Sequence, residues 1–234
     1  MSSTVPIYRH QGGFLFGILL AIFVVVLVYL FFGVAEIAFE RIGFSREEFV
    51  IILALTFIGS FINIPVTRIT NVENMVDYRE VRVFWVTYRI PQSTRKQIST
   101  LVIVNVGGAI VPTIVSLFLL VSHPSLLGYA AVGLLVSSVI VHLVARRERG
   151  VGIVTPAFIP PIAAAIISLL IAPASGAAII AYVSGSMGAL IGADLTNLRG
   201  ITKLGAPVVS IGGAGTFDGV FLTGIMAVLI VSIH

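Results

Sequence analysis

The chain has no cysteine. That excludes disulfides, thioether-bound haem and iron–sulfur clusters held by thiolates. Charge is scarce too: only 10% of the residues are Asp, Glu, Lys or Arg, against 58% hydrophobic. A soluble domain of 234 residues needs a larger polar exterior than this composition supplies. The four histidines (His10, His123, His142 and His234) are scattered and match no metal-ligand spacing. The glycines near 150–161 form no phosphate loop, because no Gly-Lys-Ser/Thr follows them. No cofactor and no metal are expected. Acidic residues are missing from the second half after Glu148, with two exceptions, Asp194 and Asp218.

What the chain has is long apolar runs and a mean hydropathy of +1.11. It reads as an all-α membrane protein, one polytopic domain over residues 1–234, in the cell membrane. Residues 14–34 are a nearly unbroken apolar run, long enough to cross a hydrocarbon core of ~30 Å at ~1.5 Å per residue. The run is too long for a signal peptide, so it reads as an uncleaved first helix. Ser45 is an N-cap candidate for a second helix over 49–64, which the proline at 65 ends. Residues 67–100 are the one long polar segment. Within it, 80–91 alternates and is rich in β-branched and aromatic residues, the pattern of a strand or hairpin. Further helices are expected over 101–121 (broken by Asn105-Val-Gly-Gly and Pro112), 127–145, up to about 172, from 176 onward, and from near 217. That makes about seven transmembrane helices, with a small β ribbon in the loop between helices two and three.

Alternating spans place the head, the 67–100 segment, the Arg146 loop and the 197–210 loop on one side. Together they hold every Lys and Arg except Arg41 and Arg46. Basic residues concentrate on the cytoplasmic face, so the N-terminus is expected inside and the C-terminus outside. The net charge of +4 and the pI near 9.8 are then a property of these loops, and nucleic acid is not an expected partner. Trp85, Tyr88 and their neighbouring arginines suit a membrane interface, with lipid as the partner. The same ribbon, at Val83, Trp85 and Tyr88, is also a candidate edge for pairing with an extended peptide substrate.

An ionisable group at membrane depth costs roughly 2.5–3.5 kcal/mol on insertion scales and faces protein or water rather than lipid. Asp194 falls near the end of helix six and Asp218 at the start of helix seven, both on the cytoplasmic side. Asp218 also suits an N-cap. Asp194 could cap a short turn at Leu195-Thr-Asn or pair with Arg199 or Lys203. Taken together, two carboxyls at the meeting ends of antiparallel helices would share a proton. Gly188, Gly192, Gly212, Gly213 and Gly215 would let the backbones approach. Such a pair can activate a water and protonate a leaving amide nitrogen.

The motif Gly-Ala-Gly-Thr-Phe-Asp-Gly-Val-Phe-Leu (213–222), with Ala193-Asp194 before it, resembles the intramembrane aspartyl proteases of the presenilin, signal-peptide-peptidase and prepilin-peptidase kind. In the presenilins one aspartate lies in helix six and the other closes a Gly-x-Gly-Asp motif at the cytoplasmic start of helix seven. The resemblance implies Asp194 and Asp218 as the catalytic pair, shaped by Gly192, Gly213, Gly215 and Gly219. Thr216 and Phe217 stand between Gly215 and Asp218, where the family has nothing, and no Pro-Ala-Leu follows. Residues 192–198 and 210–219, with Asn63-Ile-Pro and Asn105-Val-Gly-Gly, are similar across most of the chain to a prokaryotic family of multi-span proteins of unknown function.

Three functions stay open at this point. Intramembrane peptide hydrolysis uses both aspartates on a transmembrane peptide. A transporter or channel uses Asp194 as a proton or cation site beside the broken segments at 105–112 and 150–161. A non-catalytic assembly partner uses the aspartates as caps and the glycines as packing surfaces.

Overall fold

The computed structural model describes residues 12–148, 152–201, 207–213 and 219–233. Among its described side chains, helix α1, Gly12–Arg41, meets the rest of the protein only at its C-terminal end. Every described side chain from 16 to 30 is exposed, and burial begins at Ala35, Ala38 and Phe39. Aliphatic surface left bare by protein on this scale is surface for lipid. After a short turn, α2 covers Arg46–Gly59 and opens on a capping box. The Ser45 hydroxyl accepts from the Glu48 amide at 3.3 Å, and the Glu48 carboxylate accepts from the Ser45 amide at 2.8 Å. Each satisfies a backbone donor that a helix start leaves open.

The expected second helix (49–64) stops earlier than its apolar run, since Asn63 and Ile64 already lie in a strand. Pro65 denies Ile64 helical angles, and a register shift between Pro65 and Thr67 absorbs the missing proline N–H. Strand β1, Asn63–Val83, and strand β2, Val86–Asn105, form one antiparallel ribbon, much longer than the hairpin expected over 80–91. At ~3.3 Å per residue it is roughly 65 Å long. Its two-residue turn is Phe84-Trp85, with φ of 46° and 69°. Two-residue hairpin turns with both φ values positive match the strand twist but are usually Asn-Gly. Bulky residues there cost roughly 1–2 kcal/mol each.

The third helix begins later than its expected start at 101. Leu101–Val104 stays extended because it pairs on both sides, with β1 and, in parallel, with β5, Val208–Ile211. From Val106 the chain enters a π turn, Val106–Ile110, which runs into α3, Val111–Ser122. Helix α4 is Leu127–Val144, followed by a small hairpin of β3, Arg146–Glu148, and β4, Gly152–Val154. Helix α5, Ile159–Ile171, and α6, Ala177–Ala189, come next, then a second π turn, Leu190–Leu195, a short α7, Leu198–Ile201, and α8, Gly219–Ser232.

Helix α6 is the centre, packed on α8, α4, α5 and α3 and buried along almost its whole length. Small residues make this approach close: Gly185 faces the Thr223 carbonyl and Gly224 of α8, and Gly188 faces Ser137 of α4. The ring of Phe39 on α1 meets Tyr182 of α6 and Phe221 of α8 at 5.9 and 6.0 Å between centroids. Among the described residues, three helices are long and apolar enough to cross a membrane, at Phe16–Arg41, Pro124–Val144 and Ala177–Leu195. The other apolar helices, α2, α3, α5 and α8, are shorter.

Gly107 is where α2 and the first π turn touch backbone to backbone. A Cβ there would strike the Thr56 carbonyl oxygen and come within 2.5 Å of the Ser60 amide. Gly107→Ala should therefore lower stability by about 1–3 kcal/mol or more, read as a lower melting temperature in detergent. The capping box gives a second expectation. The Ser45 amide, then its hydroxyl, holds the Glu48 carboxyl below the ordinary value of 4.5. A depressed carboxyl stabilises the fold above its unfolded pKa, and that contribution is lost as pH falls through the lower folded value. Faster hydrogen exchange in the first turn of α2 should therefore appear only below pH 4.5; Glu48→Ala, which removes the acceptor, should show it at neutral pH.

Candidate functional site

The site is built where three parts of the chain leave regular structure together. At the end of α6 the helix widens, and the Thr196 amide donates to the Ile191 carbonyl at 3.0 Å, five residues back. A widened turn frees carbonyls that a regular helix would use, and inside an apolar bundle each needs a new donor. Asn197, 2% exposed, supplies it: its Nδ2 donates to the carbonyls of Ala193 at 2.9 Å and Gly192 at 3.1 Å. The Thr196 hydroxyl also donates to the Gly192 carbonyl at 2.7 Å and is hydrogen-bonded to His142 Nδ1 at 2.7 Å. Arg147 Nε completes the set by donating to Asn197 Oδ1 at 3.0 Å. These bonds hold the turn that presents Asp194.

Asp194 reaches out of this turn, partly buried, and its Oδ2 accepts from the Gly212 amide at 2.7 Å. Gly212 follows β5 with φ of 78°, and Gly213 repeats that value. A Cβ on Gly212 would lie 2.6 Å from the Ala109 amide nitrogen, so this backbone sits directly on the first π turn. That turn has its own asparagine: Asn105 Oδ1 accepts from the Gly108 amide at 2.8 Å, while Nδ2 donates to the Ser60 carbonyl at 2.7 Å. One carboxylate, two π turns and a left-handed diglycine thus meet at one end of the bundle. Among the described residues, the second carboxylate oxygen of Asp194 has no hydrogen-bond partner and no three metal-binding side chains gather.

Residues 57–230 match the family model described as a protein of unknown function, DUF1614. The chain belongs to the DUF1614 family. No curated protein and no solved structure matches it. The DUF1614 match covers the ribbon, both π turns, Asn105, Asp194, Asn197, Gly212 and Asp218, and leaves out α1 and most of α2.

Within this DUF1614 domain the site residues named from sequence separate into groups. Asp194 takes neither the Leu195-Thr-Asn cap nor a described basic partner; it bonds across the fold to Gly212 instead. Gly192 lets α4 approach, since a Cβ there would strike the Ser138 carbonyl and lie 2.8 Å from Val141 Cβ. Gly213 belongs to the diglycine turn, and Gly219 opens α8 with free space around it. Asp218, Gly215, Lys203 and the side chains of Arg199 and Val83 lie outside the described residues. Trp85 and Tyr88 are exposed near the ribbon tip. By strand length they lie roughly 45–60 Å from the β2–β5 pairing beside Asp194. The structure brings the root of the ribbon to the site and leaves the tip apart from it.

Asn197 and the amide of Gly212 carry the site and escape a motif search. Their only sequence signals are a polar residue and a diglycine beside apolar runs. The Gly212 bond separates two substitutions at Asp194. Asp194→Asn keeps an oxygen for the Gly212 amide and should melt near the wild-type temperature. Asp194→Ala strands that amide, at a cost of about 1–3 kcal/mol, and should melt measurably lower in the same detergent.

Proposed function

We propose that this DUF1614 protein is an intramembrane aspartic peptidase in which Asp194 and Asp218 form the acid/base pair. The observation that carries the reading is the Asp194–Gly212 hydrogen bond at 2.7 Å. It ties the end of α6 to the segment that runs through Gly213 to Asp218 and α8. The packing of α6 along α8, close enough for Gly185 to face Gly224, supports the same convergence. In the reaction, one carboxylate takes a proton from water as its oxygen attacks the peptide carbonyl. The other, protonated, gives its proton to the leaving nitrogen as the C–N bond breaks. The Gly212 amide fixes the orientation of Asp194 and leaves its other oxygen for this chemistry. On this reading the chain crosses the cell membrane seven times, with the N-terminus and both aspartates on the cytoplasmic side.

A specific observation favours a second reading, passage of protons or cations. Among the described residues, Ser116, Ser137 and Ser138 bury side-chain oxygens without hydrogen-bond partners, which in an apolar bundle invites water. Reconstituted protein decides between the two. General acid–base groups contribute about 10²–10⁴-fold, so Asp194→Asn and Asp218→Asn should each cut cleavage of a reporter membrane peptide by that much. Cleavage that survives either change rules out the peptidase. PH-driven flux into vesicles that Asp194→Asn abolishes, without any cleavage by the wild type, supports passage instead.

A further inference from the structure

The outer end of the ribbon has two unlike faces. Antiparallel register pairs Val81 with Tyr88 and Arg79 with Ile90, and alternation adds Val86 to the same face. The opposite face holds Glu80 opposite Arg89 and Arg82 opposite Thr87. Glu80 and Arg89 neutralise each other in a 2.9 Å ion pair, which leaves Arg79 and Arg82 without an acidic partner among the described residues. At the turn, Phe84 and Trp85 are 92% and 94% exposed. Asn-Gly would make this turn without strain; here it carries two large rings, held outward in the left-handed region. A two-stranded ribbon in water is marginal by itself, so an apolar face at its tip calls for a cover.

We propose that the outer third of the ribbon docks on the surface of the bilayer that holds this chain, with Phe84 and Trp85 in the interfacial layer and Arg79 and Arg82 against anionic headgroups. Three observations select this occupant. Among the described residues the unpaired charge at the tip is positive, which complements anionic lipid. Tryptophan and tyrosine with arginine are the side chains that settle where hydrocarbon meets water. The same chain leaves about four turns of α1 bare, so an apolar phase already lies beside it. A second copy on the apolar face would bring Arg79 of both ribbons together, with no acid among the described residues of that face to meet them.

Trp85 is the only tryptophan in the chain, so intrinsic fluorescence reports this residue alone. The experiment uses the full chain in nanodiscs of phosphatidylcholine, with and without phosphatidylglycerol. The expected result is a bluer emission and several-fold less acrylamide quenching in the anionic discs, together with quenching by acyl-chain bromines. High salt should reverse both effects in the wild type, and Arg79→Glu with Arg82→Glu should abolish them. Water-like emission, open to acrylamide in both disc types, would overturn the proposal. So would a blue shift that follows protein concentration in detergent and ignores lipid, which would mean a second copy covers the tip. A shift that appears only when separate vesicles are added would overturn it as well, because the contact would then be with another membrane.

Discussion

Backbone amides and carbonyls in an apolar bundle have no water to turn to, and this requirement governs the structure around Asp194. The chain breaks regular helix at two deep places, Val106–Ile110 and Leu190–Leu195. Each break is made good by one buried asparagine, Asn105 at the first and Asn197 at the second. An asparagine amide both donates and accepts, so a single side chain can serve a freed group and anchor itself elsewhere. Asn105 reaches back to Ser60 at the end of α2; Asn197 accepts from Arg147 beyond α4. The breaks are therefore tied to their neighbours rather than loose.

This bonding also explains why the glycines fall where they do. Gly107 presses on the last turn of α2, and Gly212 presses on Ala109 with a φ that side chains resist. Between them they bring β5 alongside β2 and set the Gly212 amide in front of Asp194. The site is thus a product of main-chain proximity, with the Asp194 carboxylate as the chemically versatile group among its described residues. A DUF1614 match that begins at residue 57 takes in all of these parts.

The sequence revealed some of this and hid the rest for physical reasons. The lipid-facing α1 and the Ser45 cap were readable, because each depends on neighbours within a few positions. The ribbon was readable as strand-forming but not in extent. Leu-Val-Ile-Val at 101–104 suits a buried helix as well as a strand, and its extended form depends on pairing with residues 208–211, far along the chain. The acid at Asp194 stood out by its cost in an apolar run. Its partner did not, since a backbone amide 18 positions away leaves no side-chain signature. The length of the apolar runs also overstated some helices: residues 49–64 read as one span, yet α2 gives way to strand at Asn63.

Helix α1 spans 30 residues, about 45 Å at ~1.5 Å per residue, against a hydrocarbon layer of ~30 Å. A rod longer than its solvent is thick leans over, and the thickness of that solvent sets the lean. Because the protein grips this rod only near Ala35, Ala38 and Phe39, any change of lean is delivered there as a torque. Phe39 lies between Tyr182 and Phe221, on the two helices that lead to the aspartate segment. The first helix is in effect a lever, with the surrounding lipid as its load and the aromatic cluster as its fulcrum.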